Sequence, residues 1–462
     1  MKRDRFGTGL SGAAGTQFWR RPALDRRVFF QHLGAAVSGS FLMPGMARGV
    51  QARSAEASSA KADNVIFILM AGGPSHVDTF DLKEGAWTPP AFEPTSYGDV
   101  RWPRGLMPKM AEHMGSTALL RSAEAWAVVH GICQTWVQIG RNPLAGTSKI
   151  APHIGSVVSR ELRQATSDKT LPSFIALNAG DAPGQGYFEA EHAPFKVTPG
   201  GTGLGNTAPP AYLGQAGFER RYNLLLDLDA GTRASGAMGQ PGDEMVQFNL
   251  SARSLMFNSA VDSVFTFSTE ERARYGTTSL GNACLTARNL LRANLGARFI
   301  QITTGGWDNH SGIYTGMLNA SNASSGGRKF DEAVGTMLDD LKADGSLDRT
   351  LVVAMGEFGR TVGSPNTRSG RDHFMGMSVY MAGAGIKGPK AIGGTDAEGR
   401  NTLEPGWSAG RHIYPEDVEA TIYAALGIDW TKAYHDDPLG RGFYLLPNNQ
   451  GLEFKPVQEI WG

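Results

Sequence analysis

Carboxylates and imidazoles cluster at three places along this chain, each directly after an apolar run. AGGPSHVDTFDLK carries His76, Asp78 and Asp81, GGWDNH carries Asp308 and His310, and GEFGR carries Glu357 and Arg360. GRDHF, with Arg371, Asp372 and His373, follows in the same connection as GEFGR. Oxygen and imidazole nitrogen without thiolate make up the ligand set of a divalent cation such as Zn, Ca, Mg or Mn. Each motif alone has a plainer reading. An Asp-x-His is commonly a solvated loop, Glu357 an ion-pair partner, and Asp78 and Asp81 turn residues bonding local backbone. Arg371 reads equally as an anion clamp or as half of a structural ion pair, and Trp307 as a packed wall. The position they share, after a buried strand and a glycine, is what favours a common metal site.

The elements that would position these residues are legible. Asn64–Met70 (NVIFILM) is a continuous β-branched run, the pattern of a strand buried on both faces. Pro172–Asn178, Arg298–Thr304, Thr350–Met355 and Met377–Ala382 read the same way. A helix is expected around Lys329–Ala343, where Phe330, Val334, Met337, Leu338 and Leu341 recur at helical spacing. Strand, helix, strand at this separation is a βαβ unit with parallel strands. In an open α/β sheet, binding groups gather outside the carboxyl ends of the strands, which is where the three loops would lie. His373 precedes its strand, so it reaches that edge only if the strand is antiparallel or the loop folds back. A further helix follows Pro415 and stops at Gly427. Ser268 or Thr269 can cap a helix, with Glu271 filling the capping box. The stretch 180–248, rich in Gly, Pro, Thr and Asn, reads as a long irregular insertion over the sheet.

With 44 basic and 44 acidic residues among 462, no net field would draw nucleic acid or an anionic membrane. Cys133 and Cys284 are far apart and outside any C-x-x-C pattern, so they either pair or remain buried thiols. Near the start, Arg26 and Arg27 lead into the short apolar run Val28–Met43 and then small residues. The order is that of a twin-arginine (Tat) signal peptide covering residues 1–52. Cleavage is expected after Ala52, with Ala47 as a competitor. The run is too short and too polar to span a bilayer, and no transmembrane segment is expected in the mature chain. The expected organisation is therefore a removed signal at 1–52, engaging the Tat translocase, and one domain over 53–462, located in the periplasm or outside the cell.

The motifs MAGGPSHVDTFDLK, LPSFIAL, GQGYFEAEHAPF, FERRYNLLLD, ITTGGWDNH, GEFGRT and GRDHF, in that order, resemble domain-of-unknown-function family 1501, Tat-exported proteins placed in the alkaline phosphatase superfamily. The resemblance implies an alkaline phosphatase-like α/β three-layer sandwich with a mostly parallel central sheet flanked by helices. It also implies that Asp308 and His310 are a ligand pair, that His373 is a late histidine ligand, and that Glu357 stands where the superfamily has an aspartate. Phe358 takes the place of a ligating histidine. Ala71 and Gly72 stand where an aspartate usually follows the first strand, leaving Asp78 or His76 as substitutes. His130, in VVHGICQTWVQIG, lies roughly where the superfamily has its Ser, Thr or Cys nucleophile; a histidine there can be a nucleophile, a general base or a packed core residue.

The function this implies is an exported metal-dependent hydrolase of phosphate or sulfate esters. Its substrates would be small anionic esters or sulfated or phosphorylated glycans. Asp308, His310, Glu357, His373 and Asp78 or His76 would hold the metal, and Arg360 or Arg371 would neutralise the anion. The alternative is a catalytically degenerate binding or structural protein that keeps the fold.

Overall fold

The computed structural model describes residues 60–462, apart from 164, 167, 206, 208–210, 238, 320–325 and 448–450. The expected signal segment lies outside the described residues. The strands of the central sheet are β1 (Asn64–Met70), β2 (Thr117–Glu124), β3 (Phe174–Leu177), β4 (Phe195–Val197), β5 (Phe299–Thr304) and β6 (Thr350–Met355). Two short strands, β7 (Gly359–Arg360) and β8 (His373–Phe374), form a separate hairpin, and β9 (Gly376–Gly383) and β10 (Lys390–Ile392) return to the sheet. The eight strands lie in the order β10-β2-β9-β6-β1-β5-β3-β4. β1 pairs parallel with both β5 and β6. Only β9 runs antiparallel, between β2 and β6.

Alternate residues of β1 feed two separate cores. Ile66, Ile68 and Met70 face a layer containing helices α5 (Ser279–Ala293) and α6 (Arg328–Ala343). Val65, Phe67 and Leu69 face α1 (His130–Ile139), α2 (Ile154–Leu162) and α7 (Pro415–Ala425). This is the three-layer sandwich that the family resemblance implies, with strands buried on both faces because helices cover both. The five strands and two helices read from periodicity are present within a residue or two. The capping box at Ser268 and Glu271 closes both of its hydrogen bonds. Three strands were not expected. Arg121 and Ser122 interrupt the apolar pattern of β2, and β4 and β10 have only three residues each.

The stretch 180–248 differs from the expectation of irregular chain. It contains helix α3 (Gly214–Ala234) and most of α4 (Gly239–Leu255). Helix α3 shows no clear apolar stripe, because Gly217 is its only buried residue; helical periodicity is legible only where one face is buried. Among the described residues no helix is long and apolar enough to cross a membrane.

Helix α7 is buried along its whole length. Its Glu419 accepts a hydrogen bond on Oε1 from the Tyr423 hydroxyl at 2.6 Å, while Oε2 is buried with no hydrogen bond. Burial pushes this carboxyl up to about 7, against 4.5 for an ordinary glutamate. The folded chain therefore keeps a proton that the unfolded chain loses over that interval. The associated stability is complete below the unfolded value and is lost as pH rises through about 7. Glu419→Gln removes the titration, so its stability relative to wild type should climb between about pH 5 and about pH 8. Urea melts at the two pH values measure this; an unchanged difference would refute it.

Candidate metal centre

Three loops at the carboxyl edge of the sheet interlock through close backbone approaches. β1 ends at Met70 and turns through Gly72, whose φ is +116°; a Cβ there would lie 2.5 Å from the backbone nitrogen of Asp308. Only glycine lets the loop after β1 pass this close to the loop after β5. After β5, Trp307 is buried and meets Phe330 edge to face at 5.5 Å, the packed wall expected of it, which fixes the root of Asp308. After β6, Glu357 and Phe358 lead into the β7–β8 hairpin, where Arg360 pairs with His373. Because β9 is antiparallel, its start lies at the same edge as the ends of β5 and β6, and the hairpin folds His373 back onto it. Both routes by which His373 could arrive are thus in use. His130 comes from across the sheet, in the first turn of α1, the helix after β2.

The convergence is on one atom. Asp308 Oδ1 lies 3.1 Å from His310 Nε2, 3.4 Å from His130 Nε2 and 3.7 Å from His373 Nε2. His130, Asp308 and His373 each offer a ligand atom, all within 4.8 Å of one another. His310 stands beside them, its Nε2 3.1 Å from His373 Nε2.

The far nitrogen of each ring fixes its tautomer. His130 Nδ1 is 2.6 Å from Glu357 Oε1, and His310 Nδ1 is 2.6 Å from Asp372 Oδ1. His373 Nδ1 is 3.0 Å from the carbonyl of Val128. A carbonyl or an ionised carboxylate only accepts, so each Nδ1 carries the proton and each Nε2 presents a lone pair. The three lone pairs point at a carboxylate and at each other. His130 Nε2 is buried and makes no hydrogen bond. Histidines anchored through Nδ1 by carboxylate or carbonyl, with Nε2 converging, are the arrangement of a metal-ligating set and its supporting groups. Two imidazoles and one carboxylate leave coordination positions open, as catalytic metal sites do. The residues fit a divalent cation.

The surroundings tune the donors. Burial alone would raise the Asp308 carboxyl, but the hydrogen bond and charge of the Arg360 guanidinium at 2.5 Å hold it below the ordinary range. Burial, with the charge of Arg360, lowers His373. Both shifts favour the deprotonated forms that bind metal. Phe358 closes the floor, its ring centroid 4.7 Å from that of His130 and 4.6 Å from that of His373.

Several residues sit differently from the sequence expectation. Glu357 is fully buried and stands behind His130 rather than in the ligand set. Its Oε1 accepts from Gly72 N and from Gln134 Nε2, both at 2.9 Å, besides His130. Asp78 is buried in an ion pair with Arg371, Nε to Oδ2 2.6 Å, and takes further bonds from Ser75 and Tyr314. His76 is buried against Phe374 with Nε2 on the Gly399 carbonyl. These two are not brought into the cluster. Arg371 is therefore half of a structural ion pair and not an anion clamp. Arg360 is equally enclosed, donating to the carbonyls of Gly72, Gly73 and Arg371, to Asp308 and, at 3.4 Å, towards His310 Nε2, so no donor is free for a substrate anion. A buried arginine beside a carboxylate looks the same in sequence whether it serves ligand or fold.

Two residues with roles here were not singled out. Gln134 is one helical turn beyond His130, a spacing that puts both on one face. Asp372 was seen only as a neighbour of His373, although its partner is His310. The possible nucleophiles beside His130 are disengaged. Thr135 Oγ1 donates back to the Gly131 carbonyl at 2.9 Å, and Cys133 is buried with its thiol pushed up. Cys284 is also a buried free thiol, so the two cysteines do not pair. Alkylation of the native protein with iodoacetamide should consequently leave any turnover unchanged; loss of turnover in step with Cys133 labelling would place that thiol in the chemistry.

Residues 62–449 match the sequence profile of a family described as a protein of unknown function, DUF1501. No curated protein matches the chain. Similar solved structures include the lipoteichoic acid synthase LtaP from Listeria monocytogenes, 10% identical over 85% of this chain and 76% of that one, with a TM-score of 0.39. A protein in the alkaline phosphatase superfamily from Vibrio parahaemolyticus is 12% identical over 80% and 69%, TM-score 0.39. The PsFucS1 sulfatase from Pseudoalteromonas sp. is 12% identical over 79% and 68%, TM-score 0.36. At such distances the chemistry must be argued from this chain's own residues.

Proposed function

We propose that this chain, which belongs to the DUF1501 family, is an exported metal-dependent hydrolase of phosphate or sulfate esters, with His130, Asp308 and His373 as the metal ligands and His310 beside them. The observation that carries this reading is the set of three Nε2 lone pairs, each fixed by an acceptor on Nδ1, directed at one carboxylate oxygen. An imidazole-rich set suits Zn better than Ca, Mg or Mn, which favour oxygen ligands. When bound, such an ion supplies a Lewis acid for an ester oxygen and acidifies a bound water.

The chain's own residues do the rest. Glu357 and Asp372 hold the rings of His130 and His310, and Arg360 keeps Asp308 ionised. Helix α1 begins at His130, so its N-terminal end, which favours anions, faces the site. A Cβ added at Gly131 would meet nothing within 4 Å, so there is room at that helix end for an anionic group. With Thr135 and Cys133 disengaged and His130 committed through both nitrogens, water is the attacking group.

Turnover of aryl phosphates and aryl sulfates by metal-loaded protein, abolished by a chelator and restored by Zn, is the test. Metal-loaded protein inert towards both ester classes would sink the hydrolase reading. It would favour the rival, a binding protein that keeps the fold, for which the enclosure of Arg360 and Arg371 is the supporting observation.

Export rests on residues 1–52 and on no structural feature. Arg26→Lys with Arg27→Lys is expected to leave the precursor in the cytoplasm, read by fractionation; unimpaired processing would remove the Tat reading without touching the metal site.

A further inference from the structure

Helix α3 (Gly214–Ala234) is 21 residues long, yet Gly217 is its only buried residue. Its inner side rests on α4 and the chain beyond it, through Glu219 with Arg253, Tyr222 under the Arg253 guanidinium, and Phe218 edge-on to Phe257 at 6.0 Å. Its other side carries Leu224, Leu225 and Leu228, exposed by 57%, 47% and 72%. Arg221, one turn before Leu225, continues the same stripe. A helix in water draws most of its stability from packing an apolar face, and a leucine cluster left open on one marks an interaction site.

The charges beside the leucines point to the occupant. Arg220 and Arg221 precede them, and Asp227 and Asp229 follow; all four are exposed. Residues 221 and 228 are equidistant from the midpoint between Leu224 and Leu225. A second α3 laid antiparallel about that midpoint would place its Leu228 over the Arg221 stem and its two aspartates beside the two arginines. The same contact repeats on the other side of the two-fold axis. Parallel pairing would set arginine against arginine and aspartate against aspartate. The pattern is self-complementary in the sense that a two-fold interface requires.

We infer that the chain forms a two-fold dimer through antiparallel pairing of α3 helices centred on Leu224 and Leu225. This does not depend on the proposed chemistry of the metal centre. Light scattering of the purified chain at micromolar concentration should give twice the monomer mass. Arg220→Glu with Arg221→Glu should be monomeric, and so should Asp227→Lys with Asp229→Lys, because each sets like charges opposite one another. Mixing these two variants should restore a dimer, since their charges are again complementary. Leu224→Glu with Leu228→Glu should be monomeric with an unchanged circular dichroism spectrum. A wild-type monomer, a dimer that survives both charge reversals, or a mixture of them that stays monomeric overturns the inference.

Discussion

Replacing Asp308 by asparagine is expected to cost the protein its metal and roughly three orders of magnitude in ester turnover, about 4 kcal/mol of barrier. The substitution keeps the shape and an oxygen acceptor for Arg360, which also donates to the carbonyls of Gly73 and Arg371, so the fold should survive. What disappears is the anionic oxygen on which the nitrogens of His130, His310 and His373 converge. Metal content and kcat/KM should fall together. A variant that keeps a full complement of metal would mean that the ion, if there is one, sits elsewhere.

Glu357 should show a second, separable effect. Its Oε1 takes three donors, from Gly72, His130 and Gln134, in a position closed to solvent. Glu357→Ala strands all three, and should cost about 3–5 kcal/mol of stability, the scale for breaking a buried charged network. Glu357→Gln keeps an acceptor oxygen but removes the charge that makes His130 a strong donor ligand. Metal affinity should drop about 10–100-fold, the range for supporting groups behind a ligand, with a much smaller change in melting temperature. Competition with a chromophoric chelator reads the affinity. If the glutamine variant bound metal as tightly as wild type, Glu357 would be a structural residue only.

The layers of the fold could be read in advance because the main strands are apolar runs, four of the five with glycine at the end or within two residues of it, and because α6 and α7 have buried faces. The three remaining strands, the broken pattern of β2 and the short β4 and β10, depend on tertiary pairing with neighbours that sequence does not display. Helix α3 was missed for a related reason, having a single buried residue and so no face to set a period. At the centre, Asp308, His310 and His373 could be named from the loops after buried strands. His130 could be placed at the right region but not given a role, since only the ring's two contacts show that Nδ1 is held and Nε2 is presented. Asp78, His76 and Arg371 misled because a buried ion pair and a ligand site use the same residue types; only burial and partners separate them. Glu357 lay one position away in role: the right loop and the right edge, but behind the ligand rather than on the ion.

X-ray absorption on the Zn-loaded protein tests the metal centre most directly. The expected result is one ion per chain whose inner shell contains two or three imidazole nitrogens and a carboxylate oxygen, at about 2.0–2.2 Å for Zn. Purified protein that takes up no metal and melts at the same temperature in chelator, or a bound ion whose shell lacks imidazole, would contradict it.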